Sequence, residues 1–538
     1  MTKSQKIAWI LFYILIFSFL LFNSFSYLDH DLGWHLRVGE QIAQEKSVPN
    51  FEYYDYTLEG KTWVDHEWLL NLTSFEIYEN FGYIALTIAF ALLVIAVFII
   101  QAVFIKKYTK KNIDFFVMFF QLLGLIGMSP HLGVRMQEIA LFNILLLLII
   151  IFYYNQNKKI QTLFWLLPLF IFWANTHASF LIGLFIFAFW IFVKILENIL
   201  VKFKFFDLIN FEYKINKKEI ITSIGFFFLV ASSTLLNPYG LKLYTFLGEY
   251  TNTFYMKLIA EWLPIYYYPI HYKQLFYSAI ITSILIVLVY SSYKFVKNQG
   301  QKKNISMHKI DLWHFLLTVL FLILAFKSKR HFPLLFLVSL PLMVNFISTE
   351  FKLSKNILSL NKKNYIIASY LVMVVLVTTS SFFIRANYTN DPFQNKKYCQ
   401  RMPCEAINFL KNNEEYKNLK IFNNYGWGGY MIWVWPEKKL FIDGRLPQYK
   451  YNKHALLQEY YDFFDEETLE NKLDRYNIKL VFLKINQPIK LNWIDKYVMG
   501  LDEEKINDQK NNLKEYLQKN LSWDMIYEDK ITQIYFKK

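Results

Sequence analysis

The sequence predicts an α-helical polytopic membrane protein, with about eleven transmembrane helices followed by a C-terminal α/β domain. Two observations carry that reading. First, 55% of the 538 residues are hydrophobic, and they gather into runs of roughly 17 to 23, the length that crosses about 30 Å of hydrocarbon at 1.5 Å per residue. Second, these runs stop near residue 385, after which the composition is that of a soluble domain. The net charge of +15, from 58 Lys and Arg against 43 Asp and Glu, would suit nucleic acid if it were concentrated on a soluble module. Most of the lysines instead sit in short loops between apolar runs, where they act as topology signals and headgroup contacts. Nucleic acid is therefore excluded as a partner, and membrane lipids are expected.

The spans fall in order at 7–27, 83–105, 113–129, 138–154, 160–175, 178–196, 219–236, 274–293, 310–326, 332–348 and 364–384. The first has no small-residue cleavage site and reads as a retained span. The fifth and sixth form a hairpin turning within Asn175 to Ala178, and the tenth carries Pro341. Alternate loops hold Lys106, Lys107, Lys158, Lys159, Lys217, Lys218, Lys302, Lys303, Lys362 and Lys363. The positive-inside bias then places the N-terminus in the cytoplasm and the C-terminal domain outside the cell membrane. Residues 28–82 form a first outer loop within the membrane domain 1–384. Two helical stretches there, Trp34 to Ile42 and His66 to Phe81, are expected to lie at the membrane interface. In the domain 385–538, strands are expected at 419–422, 439–442 and 479–483, helices at 403–413, 453–462, 466–476 and 507–520, and a strand pair at 523–537. Cys399 and Cys404, the two cysteines of the chain, are either disulfide-bonded or a pair of free thiols.

Polar residues at the span ends gather on the outer face of this topology. They are Asp29, His30 and Asp31; His131, Arg135 and Glu138; Asn175 and His177; Glu261 and Trp262; and Lys327, Lys329, Arg330 and His331. Charges at membrane depth are costly and face protein-lined cavities, so a polar cavity is expected there. Asp29 and Asp31 can share a divalent cation through oxygen ligands, or one can accept a proton from a hydroxyl; the plain alternative is solvated loop acids. Arg330 and His331, with Arg135, suit a phosphate; the alternative is a headgroup-binding turn. His177 is either a ligand contact or a packing residue at a tight turn. His66 and Glu67 lack the second His of a zinc helix. The run Tyr425-Gly-Trp-Gly-Gly-Tyr430 reads as a strand-to-helix turn, since it has neither P-loop nor dinucleotide spacing.

Together, Asp29-His-Asp-Leu-Gly-Trp-His-Leu-Arg-Val-Gly39 and Trp63-Val-Asp-His-Glu-Trp-Leu69 resemble bacterial membrane proteins of the GT-C superfamily, the polyprenyl-phosphate-dependent glycosyltransferases. Val134-Arg-Met-Gln137, Trp173-Ala-Asn-Thr-His177 with Gly183, Asn237-Pro-Tyr-Gly240, Glu261-Trp262, Arg330-His331, Gly426-Trp-Gly-Gly-Tyr430 and Phe441-Ile-Asp-Gly-Arg445 extend the resemblance over most of the chain. Ala178 departs from it, since relatives often have Gly there. The resemblance implies inverting transfer of a sugar from a polyprenyl-phosphate donor to a glycan, lipid or protein acceptor at the outer leaflet. Asp29 would be the base and Asp31 a metal ligand or helper, with Mg²⁺ or Mn²⁺ as the possible cation. Arg330, His331 and Arg135 would hold the phosphate, and His35, His177 and Glu67 would line the substrate. Three rivals use the same residues otherwise: a lipid-linked glycan polymerase or ligase, a lipid or glycan transporter, and a non-catalytic envelope scaffold. No internal repeat of the transporter kind is present.

Overall fold

The structure is a computed structural model that describes residues 3–26, 28–109, 113–200, 202, 215–251, 254–298, 311–350, 391–395, 398–451, 454–464, 469–508 and 511–538. The chain divides into two compact units. One comprises Met1–Tyr27, Thr87–Gly240 and Ala260–Arg385, and the other Leu28–Leu86, Leu241–Ile259 and Ala386–Lys538.

The first unit is built of apolar helices. Among the described residues, seven helices of the chain are long and apolar enough to cross a membrane: Gln5–Phe25, Trp68–Thr109, Asp114–His131, Glu138–Asn157, Phe180–Leu200, Tyr272–Ser291 and Lys329–Ser348. Three shorter helices, Leu166–Thr176, Lys217–Ser233 and Leu312–Lys327, stand at further expected spans. The span expected at 364–384 lies outside the described residues. The protein is thus a helical multi-pass membrane protein. Its spans leave large apolar side chains exposed, among them Phe185, Phe192, Phe228, Ile286 and Val289, which suits lipid as the solvent.

Packing inside the unit relies on small residues meeting aromatic rings, because lipid tails supply no hydrophobic drive between helices. A Cβ at Gly124 would lie 2.0 Å from the Phe336 ring, and one at Gly127 would lie 2.6 Å from Phe332. Both rings are buried, so the helix Asp114–Met128 seats directly on Phe332–Glu350. Pro341 sits inside that second helix without ending it. Gly183 does the same for Trp173, whose ring would be 2.4 Å from a Cβ there.

The long helix Trp68–Thr109 is interrupted at Gly82, where φ 77 and ψ 176 are open to glycine alone. The break separates the expected helix ending at Phe81 from the expected span beginning at 83.

The second unit holds a four-stranded sheet in the order Ile421–Phe422, Leu480–Lys484, Thr532–Lys537, Trp523–Glu528. The first pair is parallel and the other two are antiparallel. The last hairpin turns on Asp529, whose Oδ1 accepts the backbone N–H groups of Ile531 and Thr532 at 2.8 Å. Helices Cys404–Lys411, Leu456–Tyr461, Leu469–Arg475 and Asn512–Lys519 stand where expected, and Cys399 and Cys404 are disulfide-bonded.

One expectation fails: residues 439–442 are not a strand of the sheet. Leu440 instead forms an isolated bridge with Asp55, through Tyr56 N to Leu440 O and Leu440 N to Tyr54 O, both at 2.9 Å. The neighbouring backbone groups are taken by side chains. Thr57 Oγ1 donates to Phe441 O at 2.7 Å, and Asn423 bonds Phe441 N and Ile442 O at 2.8 Å each. The segment's bridge and its Thr57 bond thus come from a part of the chain almost four hundred positions earlier in sequence, which no local pattern announces.

Candidate functional site

In the unit that contains Asp29 and Asp31, these acids open the helix Leu32–Glu45. Asp29 Oδ1 accepts the backbone N–H of Asp31 at 3.3 Å. This helix crosses Gly428–Val434 at glycine-to-glycine distance. A Cβ on Gly33 would meet Gly429 O at 2.2 Å, and one on Gly429 would meet His30 O at 2.4 Å. The Gly-Trp-Gly-Gly run is therefore the strand-to-helix turn the sequence suggests, and its glycines admit the backbone that carries the two acids. Asp31 reaches further: its Oδ1 would be 2.3 Å from a Cβ on Gly444, inside Asp443-Gly-Arg445.

His35, Glu67 and their neighbours form a buried polar chain. His35 Nδ1 is 2.7 Å from Asn71 Oδ1, and the Asn71 amide donates to both oxygens of Asp65 at 3.0 and 2.9 Å. With Asn71 presenting its oxygen to the ring, His35 carries its proton on Nδ1, which leaves Nε2 as the acceptor. Glu67 Oε2 stands 3.7 Å from His35, and its Oε1 stands 3.7 Å from His66 Nε2. Burial lowers the His35 pKa to about 4, although the Asn71 bond and the Asp29 charge pull upward. Burial likewise raises Asp65 to about 6, against the bonds from Asn71 and Glu67 N.

Sequence reasoning missed a third group in this unit. Glu52, Asp55 and Asp443 are all buried, with one carboxylate oxygen of each within 4.8 Å of the others, so the cluster can take a divalent cation. Arg445 joins it: Nη2 donates to Glu52 Oε1 at 2.8 Å, and Nε donates to both oxygens of Asp443 at 3.1 and 3.0 Å. The guanidinium lies 4.8 Å from the Tyr54 ring centre and 4.6 Å from that of Trp63. Burial first, then Asp443 and Glu52, raises Asp55 well above the carboxylate range. The only sequence signal was the Phe441-Ile-Asp-Gly-Arg445 motif, since Glu52 and Asp55 look like ordinary loop acids.

The other unit holds the expected cations. Residues 328–331 pair with 261–263 through Lys329 N to Leu263 O and Arg330 N to Glu261 O, both at 3.0 Å. That pairing sets Glu261 between two arginines. Arg135 Nη1 is 2.6 Å from its Oε1, and Arg330 Nη1 is 3.5 Å from its Oε2. Burial raises the Glu261 pKa, but Arg135 and Arg330 outweigh it and hold the carboxylate below its usual range. Arg330 lies over the Trp262 ring at 5.0 Å, and His331 meets the same ring edge-on at 6.1 Å. Lys329 is fully buried, and its ammonium, like His331 Nδ1, has no hydrogen-bond partner among the described residues. His177 is engaged at its own turn, where its Nδ1 accepts the backbone N–H of Ser179 at 3.0 Å.

Of the residues singled out from sequence, the structure thus gathers Asp29, Asp31, His35 and Glu67 in one unit, and Arg135, Arg330 and His331 around Glu261 and Trp262 in the other.

No family model matches the chain, and no curated protein matches it. Among solved structures, it is similar to the apo crystal structure of an oligosaccharyltransferase from Archaeoglobus fulgidus. The TM-score is 0.50 at 12% identity, over 92% of this chain and 71% of that one. The chain shares the fold of that membrane protein. At this identity the likeness speaks for the architecture alone.

Proposed function

We propose that the protein is a membrane glycosyltransferase that moves a sugar from a polyprenyl-phosphate donor to an envelope acceptor, with inversion. The observation that carries this reading is the cationic turn of the membrane unit. Arg135 and Arg330 are preset on Glu261, beside the buried Lys329, at the junction of two apolar helices. Such a turn suits a phosphate that arrives on a lipid.

In the proposed reaction the acceptor hydroxyl oxygen attacks the anomeric carbon, and its proton passes to the Asp29 carboxylate. The carbon–oxygen bond to phosphate breaks, and the electron pair leaves with the polyprenyl phosphate. Its growing charge is held by Arg330, His331 and Arg135, so no general acid is required. Asp29 and Asp31 carry the oxygens that Mg²⁺ or Mn²⁺ takes, and such an ion would supply positive charge to an anionic oxygen. A second reading, transfer of a complete lipid-linked glycan, uses the same groups and draws on the oligosaccharyltransferase likeness of the fold.

The test is sugar transfer from a polyprenyl-phosphate donor by membranes containing Asp29→Asn, Asp31→Asn or Arg330→Ala at matched expression. The acid variants should lose about 10²-fold or more of their rate, as expected when a positioned base is removed. Full activity in both acid variants would remove the mechanism.

A further inference from the structure

The group Glu52, Asp55, Asp443 and Arg445 has no part in the reaction proposed above, yet it gathers four charged side chains in one buried spot. All four side chains are 5% exposed or less. Donors and acceptors do not balance. Glu52 Oε1 receives Tyr54 N at 2.6 Å and Asp55 N at 2.8 Å in addition to Arg445. Asp443 takes Arg445 through both oxygens, and its Oδ1 also accepts Arg445 N at 2.7 Å. Among the described residues, no donor reaches Glu52 Oε2 or either oxygen of the fully buried Asp55. The one spare donor of the group is Arg445 Nη1.

Three open acceptors against one spare donor can be met by protons or by a cation. A single proton on Asp55 supplies one donor and leaves the other acceptors bare. A divalent cation draws one oxygen from each of the three carboxylates, and it cancels the two negative charges by which three carboxylates exceed one guanidinium. One oxygen of each carboxylate lies within 4.8 Å of the others, close enough for a single ion to touch all three. We infer that Glu52, Asp55 and Asp443 bind a divalent cation, for which Ca²⁺ serves as the probe, with Arg445 as the fixed countercharge.

The ion is structural. It ties residues 52–55 to the Asp443-Gly-Arg445 turn, where the single Asp55–Leu440 bridge is otherwise the only ladder contact among the described residues. Since Asp31 packs on Gly444, the ion also fixes the surface against which Asp31 rests.

The experiment uses the purified full-length protein in detergent, stripped with EDTA and titrated with Ca²⁺ and with Tb³⁺. Trp63, stacked on Arg445, is placed to sensitise Tb³⁺ emission. The expected result is a saturable Tb³⁺ signal that Ca²⁺ displaces, together with a Ca²⁺-dependent rise in unfolding temperature. The isosteric Asp55→Asn should raise the half-saturating Ca²⁺ by about tenfold or more, since affinity follows ligand charge. Asp29→Asn and Asp31→Asn should leave it unchanged, which separates this site from the proposed catalytic acids. Because folded native protein is titrated first, a misfolded variant does not decide the question. Absence of both Tb³⁺ emission and Ca²⁺ stabilisation in the native protein overturns the inference. So does a signal that survives Asp55→Asn but vanishes in Asp29→Asn or Asp31→Asn.

Discussion

The buried chain His35–Asn71–Asp65 predicts two opposed dependences of stability on pH. His35 titrates near 4 in the folded protein against an ordinary 6.5. Between those values the unfolded chain binds the extra proton, so His35 makes stability fall as pH falls through the window. Asp65 titrates near 6 against an ordinary 3.8. Here the folded state holds the extra proton, so Asp65 makes stability fall as pH rises from 3.8 to 6. At 1.36 kcal/mol per pH unit, the His35 contribution is about 3 kcal/mol and that of Asp65 also about 3 kcal/mol, with opposite sign. The native protein should therefore show little net slope from these two groups between pH 4 and 6. Single variants expose each one. His35→Gln leaves Asp65 uncompensated, and stability relative to native should rise as pH is lowered from 6.5 to 4. Asp65→Asn leaves His35, and relative stability should fall over the same interval. The assay is thermal unfolding of detergent-solubilised protein in a pH series, read as each variant minus native. Slopes of the same sign in the two variants, or no slope in either, would refute the chain of burial and hydrogen bonding on which the argument rests.

Two further outcomes follow from close contacts. Gly429→Ala places a Cβ 2.4 Å from His30 O; this overpacking should cost about 1–3 kcal/mol and displace the Asp29–Asp31 turn, measured as a lower unfolding temperature and reduced transfer. Glu261→Gln removes the charge that holds Arg135 and Arg330, and under the proposed function it should raise KM for the lipid donor several-fold with a smaller effect on kcat, the pattern of lost uniform binding.

The sequence by itself determined the helices that can cross a membrane, the onset of the soluble composition and the strand pair at 523–537. These depend on local periodicity and on the length of apolar runs, which are written in consecutive residues. It also marked out the glycines of Gly426-Trp-Gly-Gly-Tyr430 and the Arg330–His331 turn, because unusual residues stand there without a local need. The tertiary structure alone decided that residues 439–442 bridge to Asp55 and do not form a strand of the sheet. It alone decided that Glu261 sits between Arg135 and Arg330, and that Glu52 and Asp55 share a buried site with Asp443 and Arg445. Each of these depends on backbone groups and charges finding partners more than sixty, and in some cases almost four hundred, positions away. An acid's chemistry is set by its burial and by the cation beside it, and a single sequence records neither.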